Sequence, residues 1–148
     1  GLATSYAVIA NPTLRRCFES YVEGNELAAG NVFAFNTVVA AYTKGEGWLQ
    51  QMLSYVQGNI DYLVEYLQQH LPQLKVIVPQ ASYLVFIDFK ALGISQKELV
   101  ALCTNQAHLA LNDGAIYGKE GTGYIRINLA CPRSIVEQAL AQLKEAIR

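Results

Sequence analysis

The sequence predicts an α/β protein in which a long helix is followed by a small sheet covered by helices. Two observations carry this prediction. Between residues 49 and 71, leucine and other large apolar residues recur at steps of three and four, which is the spacing of an amphipathic helix. Beyond Pro72, short apolar runs typical of strands alternate with helical spacing. The second part of the chain is therefore predicted to be a compact α+β unit.

The first part of the chain is expected to contain one strand and two helices. The apolar run 5–10 predicts a short buried strand. A helix should begin at Pro12, because proline suits the first helical position, and end at Gly24. Residues 31–43 are apolar on nearly all sides, which predicts a helix that is buried all round or covered by another subunit.

The long helix should end at Pro72, since proline cannot continue a helix. Beside its main apolar stripe runs a second one that consists of Tyr55, Tyr62 and Tyr66. These tyrosines could line a ligand site, but packing of the helix on two sides is the favoured interpretation. Gly58 lies in the helix interior, where glycine costs about 1 kcal/mol relative to alanine. We therefore expect a close packing neighbour there.

The unit beyond Pro72 is predicted to contain strands and two further helices. The predicted strands lie at residues 74–78, 83–89, 109–111 and 124–129. Ser95 should cap a helix that runs to Thr104, with Glu98 completing a capping box. The last helix should begin at Pro132. It is expected to bury Ile135, Val136, Ala139, Leu140, Leu143 and Ile147.

A glycine-rich loop at 112–123 connects the last two predicted strands. It does not fit a phosphate-binding loop, because Glu120 stands where serine or threonine is needed and a strand follows instead of a helix. Asn112, Asp113 and Gly114 are more typical of a turn with positive φ. The loop could still form a mobile rim over a site.

Composition excludes several classes of function. The chain is 52% hydrophobic and 16% charged with a net charge of -1, so some apolar surface is expected to face a partner or further chain. A near-neutral charge without a basic cluster argues against binding of nucleic acid. No apolar run reaches membrane-spanning length and no signal peptide is visible, so we expect a cytoplasmic protein without membrane contact. Three widely spaced cysteines predict buried thiols in a reducing compartment and no metal site: Cys17, Cys103 and Cys131.

Arg126 is the most informative residue, because it lies in the middle of an apolar strand where charged residues are rare. Alternation places Ile125 and Ile127 on a core face and Arg126 on the opposite, polar face. Its planar guanidinium suits a carboxylate or a phosphate, although an ordinary surface arginine on an exposed strand is the alternative. No nucleophile with a base is visible. His70, His108 and the lysines lie at element ends or on polar faces, so residue patterns alone give an anion-binding group without catalytic residues.

Two stretches carry a family resemblance. One runs from 109 to 123 and contains Asn112-Asp113-Gly114, while the other is the strand at 124–130 followed by Cys131-Pro132-Arg133-Ser134. They resemble the C-terminal part of fold-type-I pyridoxal-phosphate (PLP) enzymes, in the branch of cystathionine β-lyase-like C–S lyases and class I/II aminotransferases. The opening residues 1–6 are similar to the segment that closely follows the Schiff-base lysine of these enzymes. The resemblance covers essentially the whole chain.

The resemblance implies a role for Arg126, which matches the family arginine that holds the α-carboxylate of an amino-acid substrate. The cofactor is an electron sink for a carbanion at Cα. The lysine and the other cofactor-binding residues would precede Gly1, so no catalytic or cofactor-binding residue is assigned in this chain. Many family members have an arginine that supports the cofactor phosphate where this chain has Ala3. Ala3 fits the lyase-like branch without deciding between lyase and aminotransferase.

The same resemblance implies a domain organisation. Residues 1–44 would be the end of a large PLP-binding domain, 45–72 an interdomain helix and 73–148 a small C-terminal domain. Because the chain opens inside an apolar segment without methionine, we expect a C-terminal fragment, inactive alone, of an enzyme that is a homodimer when intact. The alternative is a non-enzymatic module that binds a small carboxylate or mediates dimerisation.

Overall fold

A computed structural model describes residue 2 and residues 4–27 and 30–147. The chain divides into two compact units, residues 1–50 and residues 51–148. The division falls inside the long helix, five residues after its start at Glu46. None of the helices in the described ranges is long and apolar enough to cross a membrane.

The first unit contains helix α1 (Pro12–Gly24) and helix α2 (Ala34–Lys44), followed by the start of α3 (Glu46–His70). The predicted start and end of α1 are confirmed. The Oδ1 atom of Asn11 accepts hydrogen bonds from the N–H groups of Thr13 and Leu14, at 2.9 and 3.1 Å. This cap satisfies two of the backbone donors that a helix start leaves without partners. Helix α2 begins three residues later than its sequence predicts.

The predicted strand at 5–10 is wrong. Residues 4–10 have no regular secondary structure and are mostly exposed. A strand needs a neighbour for its backbone N–H and C=O groups, and the described residues of this unit contain no strand to supply one. The segment is tied to α2 instead, because the Tyr6 hydroxyl donates to the Tyr42 hydroxyl at 3.2 Å. That hydrogen bond raises the pKa of Tyr6.

Helix α2 is exposed along most of its length. Ala34 is its only described residue that is buried, whereas the side chain of Phe35 is 77% exposed and that of Tyr42 is 72% exposed. Of the two settings predicted for α2, burial on all sides does not occur within the described residues of this chain. Its cover by another subunit stays a prediction.

The second unit consists of one sheet and the helices that cover it. Its sheet contains β1 (Lys75–Ile77), β2 (Leu84–Asp88), β3 (Asn112–Asp113) and β4 (Tyr124–Asn128), in the antiparallel order β1-β2-β4-β3. Helix α4 (Gln96–Ala101) continues into a π-helical turn at Leu102–Gln106, and α5 (Arg133–Ile147) closes the chain. The capping box is confirmed: the Ser95 side chain accepts from the backbone of Glu98, whose carboxylate accepts from the Ser95 N–H.

The core lies between one face of the sheet, α3 and α5. The predicted alternation in β4 is confirmed, since Ile125 and Ile127 are buried while Arg126 lies half-buried on the other face. Most of the predicted core of α5 is also confirmed, but Ile135 is 52% exposed and Ile147 is only partly buried. The apolar residues buried in this core include Val56, Ile60, Leu63, Leu67, Val85, Ile87, Ile125, Ile127, Val136, Leu140 and Leu143.

The third predicted strand is displaced, because residues 109–111 are irregular and only Asn112 and Asp113 pair with β4. His108 turns the backbone with a φ of 55°, and the Leu109 N–H donates to the carbonyl of Cys103 at 2.8 Å. That donor is therefore bonded to the π-helical turn rather than to a strand. The loop that follows β3 forms two short 3₁₀ turns at Gly114–Tyr117 and Lys119–Gly121.

Candidate functional site

Arg126 lies at the centre of β4, and both neighbouring strands have a residue in register with it. Phe86 of β2 is its partner on one side and Asn112 of β3 is its partner on the other. Arg126 therefore lies in an interior strand with a paired strand on each side, which fixes the position of its backbone. Its side chain leaves the face opposite the core, as the alternation predicts.

Two side chains contact the guanidinium of Arg126. Its Nη2 atom donates a hydrogen bond to Oδ1 of Asn112 at 3.0 Å. Its central carbon lies 4.6 Å from the centre of the Tyr117 ring, which is a cation–π contact. The ring of Tyr117 meets Phe86 edge to face, with centres 5.6 Å apart. Neighbours on two strands and on the loop after β3 therefore orient the guanidinium.

The positive charge of Arg126 is not compensated by these contacts. Asn112 and Tyr117 are neutral, and within the part of the chain that the structure describes no carboxylate pairs with the guanidinium. The Nε atom is buried and has no acceptor. A buried donor without a partner costs about 1–3 kcal/mol. The arrangement is typical of a site that is completed by an anion.

A cleft of about 270 Å³ opens beside this part of the sheet. Its polar lining includes Asn112, Arg126 and Asn128, and its apolar lining includes Leu109 and Ile135. This exposure of Ile135 to the cleft explains why it does not belong to the core of α5. Cys131 also lines the cleft, and burial raises the pKa of its thiol.

A second polar cluster lies where β4 passes into α5, and sequence patterns did not predict it. Asn59 of α3 is fully buried, and its Nδ2 atom donates to the carbonyls of Leu129 and Cys131, both at 2.9 Å. Its Oδ1 atom accepts from Nε of Arg133 at 2.8 Å. The signal that could have found it is the pair Gly58-Asn59, a glycine and an amide beside the apolar stripe of a long helix.

The tyrosine stripe and Gly58 belong to the same cluster. The Arg133 guanidinium lies 4.6 Å from the centre of the Tyr62 ring, and the Arg133 N–H donates to the Tyr55 hydroxyl at 2.8 Å. A Cβ atom on Gly58 would lie 3.2 Å from Nη2 of Arg133. The close neighbour predicted for Gly58 is therefore confirmed, and it is an arginine.

The remaining candidates do not form a catalytic group. Nδ1 of His70 lies 3.3 Å from Nζ of Lys144 on the surface, and His108 is exposed. None of the lysines is buried. In the ranges that the structure describes, no three His, Cys, Asp or Glu side chains could hold a metal ion together. Gly1 and Ala3, on which the resemblance also rests, lie outside the described residues.

Comparison with known proteins decides the family. The family model "Aminotransferase class I and II" matches residues 7–143 of this chain. The chain belongs to that family. Its fold matches the C-terminal part of fold-type-I PLP enzymes, as the resemblance of residues 109–134 predicts.

Relatives of this aminotransferase-family chain include lyases. It is 33% identical over 147 residues to cystathionine beta-lyase PatB of Bacillus subtilis (strain 168), covering 99% of this chain and 38% of PatB. A PLP-bound structure from Clostridium difficile 630 has a TM-score of 0.91 and 38% identity, over 95% of this chain and 36% of that one. The PLP-bound C-S lyase from Staphylococcus hominis has a TM-score of 0.79 and 28% identity. The match covers 95% of this chain and 36% of the lyase chain. The chain therefore spans little more than a third of the length of these relatives.

Proposed function

We propose that this chain is the C-terminal portion of a PLP-dependent enzyme that acts on amino acids, either an aminotransferase or a cystathionine β-lyase-like C–S lyase. Its contribution is Arg126, which binds the α-carboxylate of the substrate. The family match and the lyases among its relatives support the reaction class.

One observation carries the role of Arg126: its guanidinium is oriented by neighbours but not neutralised by them. Asn112 and Tyr117 hold it, and Nε lacks an acceptor. A guanidinium can bind a carboxylate through two parallel N–H···O bonds, which gives both affinity and a fixed orientation. An α-carboxylate is common to all amino acids, so this contact would anchor the substrate whatever its side chain.

The lysines of this chain do not fit a PLP Schiff base. A lysine with that role needs a setting that lowers its pKa, such as an apolar pocket or another cation. Lys90 is exposed and lies over the Tyr124 ring at 4.1 Å, and Lys144 contacts His70. The other lysines are exposed as well. We therefore assign no cofactor-binding residue here, and we propose that the 148-residue chain alone is inactive and binds no PLP.

The proposal includes the domain organisation that the resemblance implies. Residues 1–44 would belong to the large domain, 45–72 to the interdomain helix and 73–148 to the small domain. Most of the long helix belongs to the second compact unit, residues 51–148, which supports grouping it with the small domain in this proposal. The exposed apolar side chains of α2, such as Phe35, are of the kind that the large domain or the second subunit of a cytoplasmic homodimer would cover.

The experiment uses the full-length protein whose C-terminal portion we propose this chain to be. Arg126→Ala should lower kcat/KM for amino acids, mainly by raising KM, because a charge-assisted pair is lost at a cost of about 2–5 kcal/mol. Arg126→Lys, which keeps the charge but not the planar fork, should recover part of this loss. For an amino-acid amide, which has no α-carboxylate, Arg126→Ala should lower kcat/KM much less. Unchanged kinetics with Arg126→Ala would refute the role of this residue.

A further inference from the structure

We infer that Asn112 is a positioning residue, which holds the Arg126 guanidinium in one orientation while leaving its charge available to a carboxylate ligand. This inference rests on the proposed function of Arg126. It adds to that function a residue that governs the affinity of the site.

The position of Asn112 is fixed from the far end of its short strand. The side chain of the next residue, Asp113, accepts hydrogen bonds from Nε2 of Gln96 at 2.6 Å and from the N–H of Ala115 at 2.8 Å. Gln96 in turn accepts from the N–H of Gly123 at 2.6 Å and donates to the carbonyl of Tyr124 at 3.3 Å. Gln96 therefore joins the end of β3 to the beginning of β4. This bridge fixes Asn112 opposite Arg126.

The chemistry of the contact follows from the donors and acceptors present. A guanidinium has only donors, so Asn112 must turn its oxygen toward Nη2. The amide oxygen is a neutral acceptor, and it uses one of the two protons on Nη2. A carboxylate is a stronger acceptor than an amide and can take the remaining proton. The contact thus orients Arg126 without competing strongly with an anion.

Tyr117 restricts the direction from which such an anion can approach. Its ring centre lies 4.6 Å from the central carbon of the guanidinium, and the ring is itself in contact with Phe86. A carboxylate pairs with a guanidinium in the guanidinium plane, through two N–H groups. The hydrogen bond from Nη2 to Asn112 limits the rotation of that plane. A carboxylate in place of the Asn112 amide would therefore occupy the guanidinium as an internal competitor.

The test compares Asn112→Asp with Asn112→Ala in the full-length protein. The readouts are KM and kcat for an amino acid and the inhibition constant of propionate, which reports carboxylate binding without turnover. Asn112→Asp should raise KM and the propionate inhibition constant about tenfold or more, with little change in kcat, because it pairs with Arg126 internally. Asn112→Ala should raise both constants less, because it allows the Arg126 guanidinium to rotate but adds no carboxylate that competes with the ligand.

The matched control is Asn105→Asp, the same change of charge on the exposed π-helical turn. It should leave both constants unchanged. Arg126→Ala in the same assay separates the inference from the proposal on which it rests. If Arg126→Ala does not raise the inhibition constant of propionate, the proposed role of Arg126 fails. If Arg126→Ala weakens propionate but Asn112→Asp behaves like Asn105→Asp, only the positioning role of Asn112 is overturned.

Discussion

Asn59 accepts a hydrogen bond of 2.8 Å from Nε of Arg133, a residue 74 positions further along the chain. The same amide donates to the carbonyls of Leu129 and Cys131. One fully buried side chain of α3 therefore satisfies two backbone acceptors at the end of β4 and one side-chain donor at the start of α5. The strand that carries Arg126 is thereby joined to the long helix.

Asn59→Ala should destabilise the second unit. The substitution leaves two carbonyls and the Arg133 Nε without their partner, and each buried group left unpaired costs about 1–3 kcal/mol. Urea denaturation of the 148-residue chain should show a free energy of unfolding lower by at least that amount. Asn105→Ala, on the exposed π-helical turn, is the control and should change little. Equal stability of the two variants would contradict the role of Asn59.

Asn59 also marks the limit of what the sequence could predict. Helix α3 and strand β4 could be predicted from the spacing of their apolar residues, because the apolar side of each element is the side that packs against the core. Arg126 could be singled out because a charge inside an apolar strand is locally unusual. The contact between Asn59 and Arg133 could not be predicted, because only the tertiary packing of two distant elements brings them together.

The errors in the predicted strands have a related cause. An apolar run such as 5–10 has the composition of a strand, but a strand also depends on a neighbour whose presence the run does not reveal. Residues 109–111 likewise fail to pair because the Leu109 N–H is bonded to the Cys103 carbonyl of the preceding turn. Periodicity predicts which face of a segment is apolar. Whether the segment pairs with another strand depends on residues that are distant in the sequence.

Gly114→Ala should disrupt the loop that carries Tyr117. A Cβ atom on Gly114 would lie 2.5 Å from the carbonyl oxygens of Gly121 and Tyr124, and backbone atoms cannot move aside as a flexible side chain does. The unfolding midpoint in urea should therefore fall. In the full-length PLP enzyme that we propose, KM for amino acids should also rise, because Tyr117 is displaced. Gly47→Ala is the control, because its Cβ meets nothing within 4 Å and lies in a helix. It should be neutral or stabilising by up to about 1 kcal/mol. A Gly114→Ala variant as stable as Gly47→Ala would show that the loop is not closely packed.

The capping box of α4 should make the stability of this helix depend on pH. Hydrogen bonds from the side chain and backbone of Ser95 hold the pKa of Glu98 below its ordinary value. A carboxyl group whose pKa is lower in the folded state than in the unfolded state stabilises the protein at a pH above its unfolded-state pKa. This stabilisation is lost as the pH falls through the folded-state pKa. Ser95→Ala should therefore move the NMR titration midpoint of the Glu98 carboxyl upward and flatten the loss of stability in acid. If the Ser95→Ala variant has the same titration midpoint, the side-chain hydrogen bond from Ser95 does not cause the lowered pKa of Glu98.

The three cysteines should react with a thiol reagent in the order of their exposure. Burial raises the pKa of Cys103 to about 11 and leaves its side chain 2% exposed, so at pH 8 only about one molecule in a thousand carries the reactive thiolate. Cys131 is partly buried with a raised pKa, and Cys17 lies exposed on α1. In the folded 148-residue chain, Ellman's reagent should therefore label Cys17 first, Cys131 more slowly and Cys103 only after denaturation. Cys17→Ser should remove the fast phase alone. Rapid native labelling of Cys103 would mean that the core around it opens far more readily than its burial predicts.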